Sequence, residues 1–268
     1  MTPRELLDQS VLPRAEAELL LAHSVARDRA WLFSYADDSL TPDQVLQFKD
    51  LDRRRAAGEP IAYLLGYRDF WNLRLTVTPD VLIPRVDSEL LVEWGLELLA
   101  TDLLGRVLDM GTGSGAIALA IKASQPTAEV CAVDRSERAL RVARDNAQNL
   151  GLKVTFCQSD WFAGLPVGSF SLIVANPPYI APEDPHLTCG DLRAEPIEAL
   201  VSTEKGYADL YQIIAGAQNH LEPGGWLLLE HGWEQAEGVR SALHGAGFQQ
   251  IQTRRDLGGR ERVSGGCL

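Results

Sequence analysis

The chain has 268 residues, 46% of them hydrophobic and 23% charged, and its net charge at pH 7 is −12. This composition is typical of a globular protein with one large domain or two ordinary ones, and no apolar run approaches the length of a membrane span. Because the acidic total provides no broad basic surface, we expect no direct nucleic-acid partner. Because no apolar run is long enough to span a bilayer, we also expect no membrane association.

Cysteine and histidine usage and the first residues of the chain exclude further classes of protein. The four cysteines and five histidines are scattered without metal-ligand spacing, so we expect no metal site. Residues 1–12 mix charged with apolar side chains and contain no signal-peptide core, which makes the cytoplasm the expected location. The expected oligomeric state is a monomer.

Residues 1–70 are predicted to form a small helical bundle. The stretch Arg14–Val25 is rich in Ala, Leu and Glu, and Pro13 stands near its start. Thr41 is an N-cap residue followed by a first-turn proline. The arginines at 53–55 suit the negative end of the helix that Thr41 opens.

Residues 71–85 are predicted to form a β-hairpin that links two domains. From Trp71 to Thr78, apolar and polar residues alternate, which is the pattern of a half-buried strand. Residues 79–80 are expected to turn the chain, and residues 81–83 to return as the second strand.

From residue 86 to residue 268, strand and helix patterns alternate. This alternation predicts an α/β domain with a mostly parallel sheet and helices on both faces. Residues 181–205 are rich in acids and contain three prolines, and we expect them to form a long loop beside the functional site. The predicted strands are 107–110, 129–133, 154–156, 172–174, 226–230, 248–254 and 262–267, and the predicted helices are 87–99, 116–123, 137–150, 206–220 and 234–246.

A glycine-rich loop joins the first predicted sheet strand to a helix. Its glycines permit a tight turn and a close approach of the backbone to a ligand, and the helix that follows offers free N–H groups. The spacing is G-x-G-x-G, which departs from the dinucleotide fingerprint G-x-G-x-x-G. The loop residues predicted to bind a cofactor are Gly111, Thr112, Gly113, Ser114 and Gly115.

Acidic and aromatic residues end the next two strands. Asp134 follows an apolar strand, where a carboxylate can accept both hydroxyls of a ribose. Its alternative role is a helix cap, but Ser136 is available for that. Asp160-Trp161-Phe162 offers a hydrogen-bond acceptor and aromatic faces suited to an adenine ring, although an aromatic pair is more often part of a core.

The sequence Asn176-Pro177-Pro178-Tyr179 follows a further buried strand, residues 171–175. The two prolines end the strand and fix the turn, so a polar Asn is held where α/β folds place their chemistry. Asn offers a carbonyl and an amide, and Tyr offers a ring face and a hydroxyl. This combination predicts a clamp for a planar NH2 group.

Together these segments resemble a class I methyltransferase that uses S-adenosyl-L-methionine. The sequences Gly58-Glu59-Pro60-Ile61-Ala62-Tyr63-Leu64-Leu65-Gly66, Val81-Leu82-Ile83-Pro84-Arg85, Glu195-Pro196-Ile197-Glu198-Ala199-Leu200 and Asp256-Leu257-Gly258-Gly259-Arg260 are similar to the HemK/PrmC family. The resemblance covers nearly the whole chain. It implies a Rossmann-like, mostly parallel seven-stranded sheet at 86–268, preceded by the helical bundle at 1–70 and the hairpin linker at 71–85.

The resemblance also implies an activity, a cofactor and a partner. Members of the family are protein-(glutamine-N5) methyltransferases that act on peptide chain release factors. The implied catalytic residues are Asn176, Pro177 and Tyr179, with Pro178 also contacting substrate. The implied cofactor contacts are the loop 111–115, Asp134, Trp161 and Asn176, and the bundle is expected to dock the protein substrate.

One departure and two alternatives accompany this interpretation. The family usually follows Ile-Pro-Arg with Pro-Glu-Thr-Glu, whereas this chain has Val86-Asp87-Ser88-Glu89, which keeps the acid and the hydroxyl but loses the proline. The same amino-nitrogen chemistry suits an adenine-N6 or guanine-N2 nucleic-acid methyltransferase acting on a flipped base. A non-catalytic module that retains a cofactor fold is the second alternative.

Overall fold

The computed structural model describes residues 1–100, 105–165 and 169–268, and these divide into two compact units. The first unit comprises Met1–Tyr67 and His186–Ala194. The second comprises Arg68–Pro185 and Glu195–Leu268. Among the described residues, no helix has the length and apolar character to cross a membrane, and no group of His, Cys, Asp and Glu side chains is arranged to hold a metal ion.

Five helices form the N-terminal part of the first unit, as the sequence predicts. Their buried apolar faces meet around Leu20, Leu21 and Phe48. The predicted cap at Thr41 is confirmed, because its Oγ1 accepts the N–H of Gln44 at 3.3 Å while the Gln44 side chain accepts the N–H of Thr41 at 3.0 Å. The helices are α1 (Pro3–Gln9), α2 (Arg14–Val25), α3 (Arg29–Ser34), α4 (Pro42–Ala56) and α5 (Ile61–Leu65).

The hairpin lies earlier in the chain than predicted. Its strands are β1 (Tyr67–Phe70) and β2 (Leu73–Thr76), and Trp71 in the turn has a positive φ of 55°. The prediction of a return strand at residues 81–83 was wrong. The backbone N–H of Ile83 instead donates to a carboxylate oxygen of Glu195 at 3.0 Å, so this segment is held by a side chain and not by a strand partner.

A seven-stranded sheet forms the second unit, in the order β5-β4-β3-β6-β7-β9-β8. The five strands from β5 to β7 are parallel, and β9 runs antiparallel to both of its neighbours. This confirms the predicted, mostly parallel sheet. The strands are β3 (Arg106–Met110), β4 (Glu129–Asp134), β5 (Thr155–Gln158), β6 (Phe170–Ala175), β7 (Leu221–Glu230), β8 (Gln249–Arg255) and β9 (Glu261–Cys267).

Buried apolar residues cover both faces of this sheet. Alternate residues of β3 point to opposite cores, since Val107 packs in one and Leu108 in the other. The first core includes residues of α6 and α7, and the second includes residues of α9 and α10. The helices are α6 (Glu89–Leu99), α7 (Ala116–Ser124), α8 (Glu137–Leu150), α9 (Ala208–Ala217) and α10 (Ala236–Gly245).

The connection between β6 and α9 is long, as predicted, but it contains short structured turns. Single 3-10 turns occur at Pro185–Thr188, Gly190–Ala194 and Ile197–Ala199. The predicted helix 206–220 begins only at Ala208, because Glu204, Lys205 and Gly206 all have positive φ angles of 53°, 58° and 88°. Such left-handed residues cannot continue a right-handed helix.

Candidate active site

The predicted site residues meet at one edge of the sheet because their strands are parallel neighbours. In the register, Met110 on β3 is opposite both Val133 on β4 and Ala175 on β6. The glycine loop, Asp134 and Asn176 follow these positions directly. They therefore lie together at the carboxyl ends of the strands, where open α/β sheets bind ligands.

The glycine loop is a tight turn that requires glycine. Gly111, Gly113 and Gly115 have φ angles of 72°, 56° and 85°, which disfavour residues with a Cβ atom. The backbone N–H groups of Gly111 and Thr112 both donate to the Val133 carbonyl at 2.9 Å. The loop is thus fastened to the end of β4.

Asp109, the last polar residue of β3, supports the loop from below. Its Oδ2 accepts from the Thr112 hydroxyl at 2.6 Å and from the Ala118 N–H at 3.2 Å. Burial raises the pKa of Asp109 to about 7, and its Oδ1 has no hydrogen-bond partner. The orphaned oxygen lies beneath the loop predicted to carry a ligand and is fully buried.

Asp134 is held by two backbone N–H groups. Its Oδ2 accepts from Gly113 and its Oδ1 from Ser136, both at 2.9 Å. Ser136 itself caps α8, because its Oγ accepts the Ala139 N–H at 3.2 Å. Each carboxylate oxygen of Asp134 retains a second lone pair, which suits a pair of ribose hydroxyls.

Trp161 lies across the glycine loop. A methyl group placed on Gly111 would come within 3.5 Å of the indole ring, so the ring packs against a backbone that has no side chain. The indole Nε1 donates to Asp209 at 3.2 Å, and the Trp161 carbonyl accepts from the Ser159 hydroxyl at 2.6 Å. The first bond fixes the orientation of the ring, and the second holds the backbone at Trp161.

A cavity of about 310 Å³ occupies this edge of the sheet. Its volume is in the range of small-molecule sites, and an acidic side chain and an aromatic ring meet in it. These features fit S-adenosyl-L-methionine, which carries a ribose and an adenine. The site residues predicted from sequence that line the cavity are Gly111, Gly113, Asp134, Trp161, Asn176 and Pro178.

Three of the predicted loop residues lie away from the cavity wall. Thr112 and Ser114 are buried, and the Ser114 carbonyl accepts from Asn146 Nδ2 at 2.9 Å. The N–H of Gly115 donates to the Thr112 carbonyl at 2.8 Å, just before α7 begins. These residues shape the loop in the structure.

A short segment of the long connection, residues 195–199, forms another wall of the cavity. Pro196, Glu198 and Ala199 line it, and the Glu198 carbonyl accepts from Arg135 at 3.0 Å. The Glu195 carboxylate, which is buried, accepts the N–H of Ile83 and pairs with Arg85. Sequence patterns do not reveal these contacts, because they join residues 63 to 112 positions apart.

Asn176 begins a chain of hydrogen bonds that leads into the core. Its Nδ2 donates to the Ser88 hydroxyl at 3.0 Å, and this hydroxyl donates to Glu230 Oε2 at 2.6 Å. The phenol of Tyr179 donates to the other oxygen, Glu230 Oε1, at 3.1 Å. Pro177 between them is buried. One buried carboxylate therefore joins both polar residues of the predicted clamp.

Burial dominates the electrostatics of this chain. It raises the pKa of Glu230 to about 7, against the opposing effect of the bonds from Ser88 and Tyr179. Burial and the adjacent Glu230 also raise the pKa of the Tyr179 phenol above its ordinary value. Sequence reasoning missed Glu230, although an acid directly after the apolar run 226–229 was the signal that could have identified it.

The fold and this site define a methyltransferase of class I, and two family models match the chain accordingly. Residues 86–191 match the Methyltransferase small domain, and residues 4–66 match the PrmC N-terminal domain. Among solved structures, a methyltransferase from Pyrococcus furiosus is similar, with a TM-score of 0.55, 18% identity and coverage of 82% of this chain and 98% of the other. The 16S rRNA methyltransferase RsmC of T. thermophilus, in complex with AdoMet and guanosine, has a TM-score of 0.55 and 21% identity, over 75% of this chain and 49% of that chain.

Curated relatives identify the family. The release factor glutamine methyltransferase of Bordetella pertussis is 50% identical over 99% of this chain and 98% of its own length. That of Escherichia coli is 48% identical over 96% and 93%. The chain belongs to the release factor glutamine methyltransferase family. The predictions of the family, the enzyme class and S-adenosyl-L-methionine as methyl donor are confirmed.

Proposed function

We propose that this protein methylates the side-chain amide nitrogen, N5, of the glutamine in the Gly-Gly-Gln motif of peptide chain release factors. Its relatives' name supplies the release factor and the glutamine. The proposal rests on the orientation of the side-chain amide of Asn176. Its NH2 group is engaged by Ser88, so its carbonyl oxygen is the atom available to an incoming amide at the cavity.

The role proposed for Asn176 and Pro177 is to bind the two hydrogens of the target amide. The side-chain oxygen of Asn176 accepts one N–H, and the backbone carbonyl of Pro177 accepts the other. An amide nitrogen is a weak nucleophile, and it becomes positively charged as it gains the methyl group. Both hydrogen bonds strengthen as that charge develops, so they stabilise the transition state more than the bound substrate.

Tyr179 is proposed to pack on the target amide and to orient it. Its phenol is tied to Glu230, and its backbone carbonyl accepts from Gln235 Nε2 at 3.1 Å. Side chain and backbone are thus both fixed before substrate binds. Pro178 holds the turn between the clamp residues and lines the cavity. The bound cofactor supplies an electrophilic methyl group on a sulfonium, so placement is the main task of these residues.

The proposed cofactor contacts are the residues that line the cavity. Asp134 accepts the ribose hydroxyls, Trp161 packs against the adenine, and Gly111 and Gly113 allow close approach of the backbone. Asn176 stands beside the reacting end. Thr112, Ser114 and Gly115 contribute by holding the loop in shape.

The domain assignment completes the proposal. The helical bundle, residues 1–70, docks the release factor, residues 71–85 form the linker, and residues 86–268 carry out methyl transfer. We assign the protein to the cytoplasm, because its proposed substrate is a translation factor, and we propose that it acts as a monomer. Direct binding of nucleic acid is not part of the proposed activity, in keeping with the net charge of −12.

The test is transfer of radiolabelled methyl from S-adenosyl-L-methionine to purified release factor. A release factor with the Gly-Gly-Gln glutamine replaced by alanine runs beside it, and total tRNA, rRNA and DNA run in parallel. Label on the intact factor alone supports the proposal. Label on nucleic acid would favour the base-methylating alternative, and label on the substituted factor would place the methyl group on another residue.

A further inference from the structure

While Glu230 is ionised, the chain of hydrogen bonds behind Asn176 has a fixed direction. Glu230 is buried, and its two carboxylate oxygens are contacted by the hydroxyls of Ser88 and Tyr179, at 2.6 Å and 3.1 Å. An ionised carboxylate only accepts hydrogen bonds, so both hydroxyls must donate to it. The hydroxyl of Ser88 has one hydrogen, which it donates to Glu230. Its oxygen can therefore act toward Asn176 only as an acceptor.

This direction determines which end of the Asn176 amide faces the cavity. Facing an acceptor at 3.0 Å, Asn176 must present its NH2 group to Ser88. Its carbonyl oxygen is then turned away from Ser88, toward the incoming ligand. The reversed amide would place two oxygens without a hydrogen between them, which is repulsive. Neither Pro177 nor Pro178 has an N–H that could hold the amide in its place.

We infer that Glu230 and Ser88 are positioning residues that orient the side-chain amide of Asn176, and that this orientation selects a side-chain amide over a carboxylate as the group bound in the clamp. The inference rests on the proposed function and deepens it. Glutamine and glutamate have nearly the same shape and differ in one group, NH2 against O. An oxygen from Asn176 binds the N–H of glutamine and repels the carboxylate of glutamate.

The oriented amide of Asn176 can discriminate strongly between glutamine and glutamate. A polar site built for a donor rejects an isosteric ligand that lacks the donor far more strongly than an apolar site rejects a difference in size. Glu230, at the end of the chain of hydrogen bonds, is buried, so its carboxylate accepts hydrogen bonds from Ser88 and Tyr179 and not from water. The side chain of Ser88 is also buried, which keeps its single hydrogen on Glu230.

The test compares Ser88→Ala with Ser88→Thr in the full-length protein. The alanine removes the relay, whereas the threonine keeps the hydroxyl and serves as the matched control. Two quantities are measured for each variant, kcat with release factor and the ratio of Kd values for release factor and for its Gln→Glu form. Kd is measured in the presence of S-adenosylhomocysteine, so that no methyl transfer occurs. Cofactor affinity and melting temperature are recorded alongside.

We expect the wild-type protein to bind the glutamine form at least about tenfold more tightly than the glutamate form. In Ser88→Ala this ratio should fall to within about threefold and kcat should fall at least about tenfold, while cofactor Kd stays within about twofold of wild type. In Ser88→Thr the ratio and kcat should return toward wild type. A residue that only supported the fold would change the melting temperature without changing the ratio.

Glu230→Gln provides a second, independent variant. Glutamine donates from one side-chain atom, so the Ser88 hydroxyl is no longer forced to point at residue 230, and the Kd ratio should again fall. A folded Ser88→Ala or Glu230→Gln protein that keeps both the wild-type ratio and the wild-type kcat would overturn the inference and leave the proposed function standing. A wild-type protein that methylates no release factor would overturn the proposed function itself.

Discussion

The backbone N–H of Gly113 donates to Oδ2 of Asp134 over 2.9 Å. This bond joins the glycine loop after β3 to the residue that ends β4, two motifs separated by twenty-one positions in the chain. The two predicted halves of the cofactor site are therefore one hydrogen-bonded unit. A change in either one should disturb the other.

Asp134→Asn should weaken binding of S-adenosyl-L-methionine by about 10- to 100-fold, since a hydrogen bond to a charged group contributes about 1.5–3 kcal/mol. The asparagine has one oxygen, so its NH2 must face the N–H of Gly113 or of Ser136, and one bond is lost in addition to the charge. Isothermal titration calorimetry measures the Kd. Asp145→Asn, on the exposed surface of α8, is the control, and equal affinity in both variants would contradict the role of Asp134.

Gly113→Ala and Gly247→Ala separate backbone strain from loss of the cofactor site. Both glycines have positive φ, 56° and 86°, and neither would place a methyl group within 4 Å of another atom. Each substitution should cost about 1–2 kcal/mol of stability. Only Gly113 lines the cavity, so only Gly113→Ala should raise the cofactor Kd, by about tenfold. Urea denaturation and calorimetry on both variants test this, and a similar rise in Kd for Gly247→Ala would refute it.

Asn146→Ala should destabilise the second unit and loosen the glycine loop. The buried amide of Asn146 accepts the N–H of Thr76 at 2.8 Å and donates to the carbonyls of Thr76 and Ser114, at 3.0 Å and 2.9 Å. Removing it leaves these backbone groups unpaired, which costs about 1–3 kcal/mol for each buried group. The measurement is the free energy of unfolding. Asn149→Ala, exposed on the same helix, should change it by less than about 0.5 kcal/mol.

Asn176→Ala should abolish detectable turnover and change cofactor affinity much less. The alanine removes the carbonyl oxygen that accepts the target N–H but leaves Asp134 and Trp161 in the cavity wall. Single-turnover methyl transfer gives the rate, and calorimetry gives the Kd for S-adenosyl-L-methionine. Wild-type kcat in this variant would show that the proposed clamp is not needed for the reaction.

The pH dependence of kcat should show an acid limb near pH 7 that Glu230→Gln removes. Glu230 has a pKa of about 7 and is faced by Ser88, Tyr179, Asp87 and Arg262. As the pH falls through 7, Glu230 gains a proton and becomes a donor toward one hydroxyl, so the relay to Asn176 loses its direction. The pH–rate profiles of the two proteins make the comparison. An acid limb of the same position and depth in the variant would assign it to another group.

The free energy of unfolding should change with pH in the opposite direction to kcat. Burial raises the pKa of Glu230 from the ordinary glutamate value to about 7, so its contribution to stability is complete below that ordinary value and is lost as the pH rises through about 7. Glu230→Gln should therefore become more stable relative to wild type between pH 5 and pH 8, as measured by urea denaturation.

Local patterns were sufficient to predict most of the second unit. Helix α8 begins and ends at the predicted residues, Glu137 and Leu150, because Ser136 caps its start and Gly151 ends it in a left-handed conformation. The hairpin strands were placed too late. The alternation of apolar and polar residues continues from Trp71 across the turn. This alternation alone could not show that the chain reverses at Trp71 itself.

Residues next to a strand end could be predicted as site residues, and residues joined to them across the fold could not. Asp134 and Asn176 are placed at the sheet edge by their own strands. Ser88 and Glu230 are brought together from positions 142 residues apart, so only the folded chain shows that they form one chain of hydrogen bonds with Asn176. Glu195 was missed for the same reason.

The long connection after Tyr179 begins and ends at one backbone bridge. The N–H of Ile180 donates to the Leu200 carbonyl at 2.9 Å, and the N–H of Ser202 donates to the Ile180 carbonyl at 3.0 Å. Tyr179 is thus anchored on the sheet side of a closed loop, whose two ends stay together whatever lies between them. The bridge consists of backbone hydrogen bonds alone, so the position of Tyr179 depends little on which side chains the intervening residues carry.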